Sequence, residues 1–138
     1  MEENRRRNLE LELERATTAL RAAQVCFDAG LWDDAVSRSY YAAYHTVQAV
    51  VFTAGLEART HEGLHDLFFL HFIRPGLFPR RLARLVASLQ KYREQADYSR
   101  AIRFDEDGAR EAVANAREVH DSLRAWLASA GWLRGGSP

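Results

Sequence analysis

Arg38 and His45 stand seven residues apart in Ser37-Arg38-Ser39-Tyr40-Tyr41-Ala42-Ala43-Tyr44-His45, and their side chains suit chemistry on a phosphodiester. Arginine offers a planar fork of donors for the charge that builds on phosphorus. Histidine titrates near neutrality and can move the proton of a ribose 2′-hydroxyl. That chemistry needs no metal. On a helix the seven-residue spacing places the two side chains nearly in line, with about 10.5 Å of rise between them, a gap that can hold a phosphodiester. A structural account of the same residues stays open: Arg38 pairs with Asp34 at i−4, and His45 is a satisfied interface histidine.

A second group of reactive side chains lies in His61-Glu62-Gly63-Leu64-His65. It matches the H-E-x-x-H pattern, in which two histidines one helical turn apart bind zinc and the glutamate acts as base. The continuation argues against that use. The glycine that would turn the chain back toward a third ligand is replaced by Phe68, and His71 falls about 240° round the helix from His65. Gly63 also weakens the helix that would carry the ligands. Glu62 is explained by the first-turn dipole alone. No metal and no cofactor is expected.

Both groups must be positioned by helices. Leu9, Leu13, Ala16, Leu20, Ala23 and Phe27 follow a 4,3,4,3,4 spacing, an amphipathic first helix that ends near Gly30. A second helix runs from about Trp32 to Gly55, with a core stripe of Val36, Tyr40, Ala43, Val47, Val50 and Ala54. Opposite that stripe, Arg38, Tyr41, His45, Gln48 and Phe52 form a second face, amphiphilic rather than charged, which suits a groove or a subunit interface. Thr60 is a fitting N-cap for a short helix over His61–Ile73, closed by Pro75 and Gly76. Leu82, Leu85, Leu89, Tyr92 and Ala96 mark a fourth helix. Ala109, Ala112, Ala116, Val119, Leu123, Trp126 and Ala130 mark a fifth, ending at Gly131. No segment has the period-two alternation of a strand. The fold class is therefore all-α, an antiparallel up-down bundle of four long helices plus one short one.

Composition sets the outer bounds. At 138 residues the chain is one domain, with a core over about 5–131 and a flexible tail at 132–138. Lys+Arg and Asp+Glu are both 19, so any site for a polyanion must be local rather than global. Cys26 is the only cysteine, which excludes an intrachain disulfide. No stretch approaches the ~18 apolar residues of a membrane span, and the expected location is the cytoplasm.

The stretch Ser37 to His45, with Thr60-His61-Glu62-Gly63-Leu64, Tyr92-Arg93 and Ala96-Asp97-Tyr98, resembles the small bacterial and archaeal HEPN proteins over roughly 19–130. The family signature is an Arg and a His separated by four to six residues, and Arg38 with His45 is the six-residue form. The resemblance implies an α-helical bundle that dimerises through the motif helices. It further implies a metal-independent endoribonuclease that leaves a 2′,3′-cyclic phosphate, with His45 as general acid or base and Arg38 as phosphate clamp.

Ser39, which follows the motif Arg, and Tyr44, in its Tyr-rich filling, join Tyr41 and Gln48 of the second helix's outer face as candidates for the groove or interface. Many members pair as toxin with a minimal nucleotidyltransferase as antitoxin, which can modify a tyrosine two positions after the His. Here that position is Val47, leaving Tyr40, Tyr41 or Tyr44 as substitutes. Arg93 and Asp97 also match the family and read as an i,i+4 ion pair of structural use. The expected partners are a second copy of the chain, RNA and a nucleotidyltransferase. The alternative is a non-catalytic HEPN subunit that binds nucleotide or that transferase.

Overall fold

A computed structural model describes residues 2–99 and 103–133. Its elements are α1 (Glu2–Asp28), α2 (Trp32–Phe52), α3 (His61–Phe68) with a π-helical turn over Phe69–Ile73, α4 (Arg80–Tyr98) and α5 (Glu106–Ser129). Among the described residues there is no strand. The fold is the expected all-α antiparallel bundle. No described helix is long and apolar enough to cross a membrane.

Local chemistry sets the helix ends. Gly30 takes φ +76°, and the Leu31 N–H reaches back to the Cys26 carbonyl while the Gly30 N–H reaches that of Phe27. This closes α1 in a left-handed turn that a Cβ would strain. Thr60 and Asp105 cap α3 and α5, accepting from the N–H of Gly63 at 2.9 Å and of Gly108 at 2.8 Å. Asp33 does more than meet the α2 dipole. It accepts the Phe104 N–H at 2.9 Å and pairs with Arg103, tying the α4–α5 connection to the start of α2.

α2 is the central post, packed against α1, α3, α4 and α5. That is why so much of it is buried: Ala35, Val36, Tyr40, Ala42, Ala43, Val47, Ala49, Val50 and Val51 all lie in the core. The α1 stripe from Leu9 to Ala23 and the α5 stripe from Ala109 to Leu123 are buried as their spacing predicts. Ala54 is exposed, because α2 stops at Phe52 and the chain has already turned away.

α4 is rotated from its expected setting. Leu82, Val86, Leu89 and Arg93 face inward, while Leu85, Tyr92 and Ala96 are half-buried. Of the aromatic cluster, Phe68, Phe72 and Phe78 are core, and Phe69 is exposed on the π turn. Within the expected tail, Trp132 and Leu133 pack against the core, and residues 134–138 lie outside the described part.

Candidate active site

The outer face of α2 and the neighbouring face of α1 enclose an open pocket of about 460 Å³, lined among others by Arg15, Ala19, Arg38, Tyr41 and His45. Arg38 is exposed. Among the described residues no carboxylate pairs with it, Asp34 included. Its donor fork is free for a ligand.

His45 is held differently. Its Nδ1 lies 2.7 Å from the Glu12 carboxylate of α1, and the two side chains retain 20% and 17% of their exposure. A carboxylate only accepts, so Nδ1–H donates, and the tautomer leaves Nε2 as the atom that can take or give a proton. No described residue engages Nε2. A carboxylate behind an imidazole fixes both ring orientation and tautomer, as in the Ser-His-Asp arrangement.

The other candidates divide. Tyr41 lines the pocket. Tyr44 stands behind it, its ring centroid 5.1 Å from that of His45 and 4.7 Å from that of His61. Burial holds the Tyr44 phenol above its ordinary pKa, with Glu12 and Glu57 adding to the effect. Ser39 and Gln48 do not belong to the open surface. Ser39 is fully buried and donates to the Ala35 carbonyl one turn back, at 2.8 Å. Gln48 is 5% exposed, and its amide clasps both backbone groups of Ala58, fastening the α2–α3 connection. Gln48 has the helical offset of the outer face but is covered there by the connection to α3, whereas Ser39 lies about 180° round α2 from Gln48 and inside the bundle.

Behind the pocket lies a closed cluster. Arg93 of α4, only 7% exposed, has its guanidinium 5.2 Å from the Tyr40 ring and 5.8 Å from the rings of both Tyr41 and Tyr98. Among the described residues its one carboxylate partner is Asp97 at 3.5 Å, and its Nε is buried with no partner among them. Asp97 in turn takes the Ser37 hydroxyl, linking α4 to α2. Tyr40 is fully buried and meets His61 Nδ1 at 2.6 Å. Its phenol is pushed far above the usual range, chiefly by burial, so it donates and His61 Nδ1 accepts. Burial and then the Arg93 charge hold His61 below its ordinary pKa, and burial does the same to His65. Full burial also removes Tyr40 from the tyrosines open to modification.

The H-E-x-x-H segment therefore serves packing. Both imidazoles face Tyr40, at ring distances of 5.4 and 6.4 Å, and Glu62 is exposed. Among the described residues no three His, Cys, Asp or Glu side chains come together as a cation site.

A sequence model of the HEPN domain matches residues 9–126. The chain belongs to the HEPN family. Among its relatives, a Methanocaldococcus jannaschii protein named as a candidate toxin is 32% identical over 94 residues, covering 68% of this chain and 70% of that one. A second such protein from the same organism is 27% identical over 135 residues, covering 98% of this HEPN chain and 92% of its own length. The crystal structure of TT1696 from Thermus thermophilus superposes with a TM-score of 0.73 at 22% identity, covering 85% of this chain and 96% of that one. That likeness shows the shared HEPN-like bundle.

Proposed function

We propose that this HEPN protein is a metal-independent endoribonuclease that acts as a dimer. The observation that carries the reading is the Glu12–His45 contact beside an unpaired Arg38 in one open pocket. In the proposed reaction His45 Nε2 takes the proton of a ribose 2′-hydroxyl, and that oxygen attacks phosphorus. The 5′-oxygen leaves with a proton, and a 2′,3′-cyclic phosphate remains. Arg38 stabilises the charge on the non-bridging oxygens as it grows. One chain presents one such histidine, and a second copy across the motif helices supplies the second proton-transfer group. In this reading the whole chain is one HEPN domain working in the cytoplasm. The toxin names of its two relatives support pairing with a neutralising partner of the nucleotidyltransferase class.

The test is cleavage of total RNA and tRNA in EDTA by wild type, Arg38→Ala and His45→Ala. Cutting that both variants lose, with helical circular dichroism unchanged, is the expected result. No cutting by any of the three overturns the enzyme and leaves a binding subunit, for which stable co-purification with a nucleotidyltransferase is the check.

A further inference from the structure

Charge is distributed unevenly along a chain whose totals cancel at 19 and 19. From Leu67 to Arg93 there is no Asp or Glu, while Arg74, Arg80, Arg81, Arg84, Lys91 and Arg93 all fall there. Arg81 is neutralised by Glu118, with two hydrogen bonds at 2.7 and 2.9 Å, and Arg93 is buried in its tyrosine cluster. The rest stay in water. Arg74, Arg80, Arg84 and Lys91 are exposed, and no carboxylate among the described residues pairs with them.

Three of these form a line. At 100° per residue, Arg80, Arg84 and Lys91 lie within about 40° of one another on the outer face of α4, over about 16.5 Å of rise. The one exposed residue between Arg84 and Lys91 on that face is Ala87, and Glu94 closes the row. At its head Arg80 lies over the ring of Phe69, 5.4 Å from its centroid, and that ring is 39% exposed. Opposite charges at i,i+4 support a solvated helix face. Arg80 and Arg84 are instead a like-charged i,i+4 pair, an arrangement that weakens a helix unless an anion lies across it.

We propose that the Arg80–Arg84–Lys91 face is an RNA-holding site separate from the cleaving pocket. It would take the phosphates of a single strand along the row and a base on the Phe69 ring under Arg80. The identity of the polyanion rests on the ribonuclease reading. Single-strand sites combine such a basic track with an aromatic platform. A protein surface would also bury the exposed Leu70 and Leu77, so those leucines separate the two occupants in the test.

The test uses the His45→Ala protein, which leaves RNA intact, and a fluorescein-labelled single-stranded RNA of mixed sequence. Anisotropy is followed in EDTA across a salt series. Adding Arg84→Gln and Lys91→Gln is expected to weaken binding roughly five- to tenfold at 0.1 M salt. The same change should reduce the slope of log K against log salt by about 1.4, two phosphate contacts for a single strand. The charge-conserving pair Arg84→Lys and Lys91→Arg restores both, and Leu70→Ser with Leu77→Ser changes neither. Unchanged affinity and slope in the Gln variant, absence of RNA binding, or dependence on the leucines each overturns the site. Cleavage by an otherwise wild-type chain with unaltered binding in the Gln variant would sink this site and spare the ribonuclease. Binding that needs the two cations in a protein that never cleaves would do the reverse.

Discussion

Two arginines separate the functions of the two halves of the site. Arg38 is exposed, unpaired and set in an open pocket beside an oriented histidine, whereas Arg93 is boxed in by three tyrosine rings and a carboxylate. Both are cations within reach of Tyr41. The first has paid no desolvation and keeps its donors for a ligand. The second is desolvated, and its charge is met by π faces and phenol oxygens. The difference teaches that motif membership alone does not assign a role. In the proposed enzyme the free guanidinium serves the chemistry, and the buried one packs α4 against α2 beside Tyr40 and Tyr41.

Exchanging the roles is the sharpest way to break this comparison. Arg38→Ala should lower RNA cleavage by on the order of a hundredfold or more and leave the unfolding midpoint within about a degree. Arg93→Ala should instead destabilise the fold by about 2–3 kcal/mol in denaturant titrations, since it empties a desolvated cation–π site. A stability loss in the first variant and none in the second would reverse the assignment.

Glu12 tests the open half from behind. Glu12→Gln keeps the size of the side chain but weakens its hold on His45 Nδ1–H. Turnover is expected to fall on the order of tenfold to a hundredfold with KM little changed, as for a group that orients a general base. A rise in KM at constant turnover would make Glu12 a binding residue instead.

The closed half has a pH signature. His61 and His65 have folded pKa values below the ordinary 6.5, so the unfolded chain binds their protons more readily. Their stabilising contribution is present above pH 6.5 and is lost as pH falls through the folded values. The unfolding temperature should therefore drop between pH 7 and pH 5. His61→Gln with His65→Gln should flatten that drop, and an unaltered acid limb would remove these histidines as its cause. Smaller still is Tyr40→Phe, which deletes the hydroxyl that His61 accepts. It should cost about 1 kcal/mol and leave the fold intact.

The bundle was legible because helical periodicity and stop residues agree. The α1 and α5 stripes and the turns at Gly30 and Gly131 follow from spacing and from glycine's access to positive φ. The setting of α4 was not legible: a hydropathy pattern places Tyr92 inside and Arg93 outside, and only the three-tyrosine box reverses that order. The π turn at Phe69–Ile73 was likewise hidden, since an all-apolar run shows no phase.

At the site, Arg38, Tyr41 and His45 share one pocket, as one face of α2 requires. Gln48 was misplaced because periodicity fixes an angle on a helix and not which neighbour covers it, and Ser39 because its place next to Arg38 in the motif does not say which face it takes. Glu12 lies 33 residues from His45 on another helix, a pairing that no local pattern carries. Arg15 entered the pocket the same way. The signal that could have found both is the polar face of α1, read as facing α2 rather than water.

The most direct measurement of the central claim is the chemistry of the cut ends. RNA incubated with the protein in EDTA should yield 2′,3′-cyclic phosphate and 5′-hydroxyl termini, with no product from His45→Ala and none from a substrate 2′-deoxy at the scissile residue. Products bearing 5′-phosphate, or cleavage that survives the 2′-deoxy substitution, would contradict a mechanism in which His45 activates the 2′-hydroxyl.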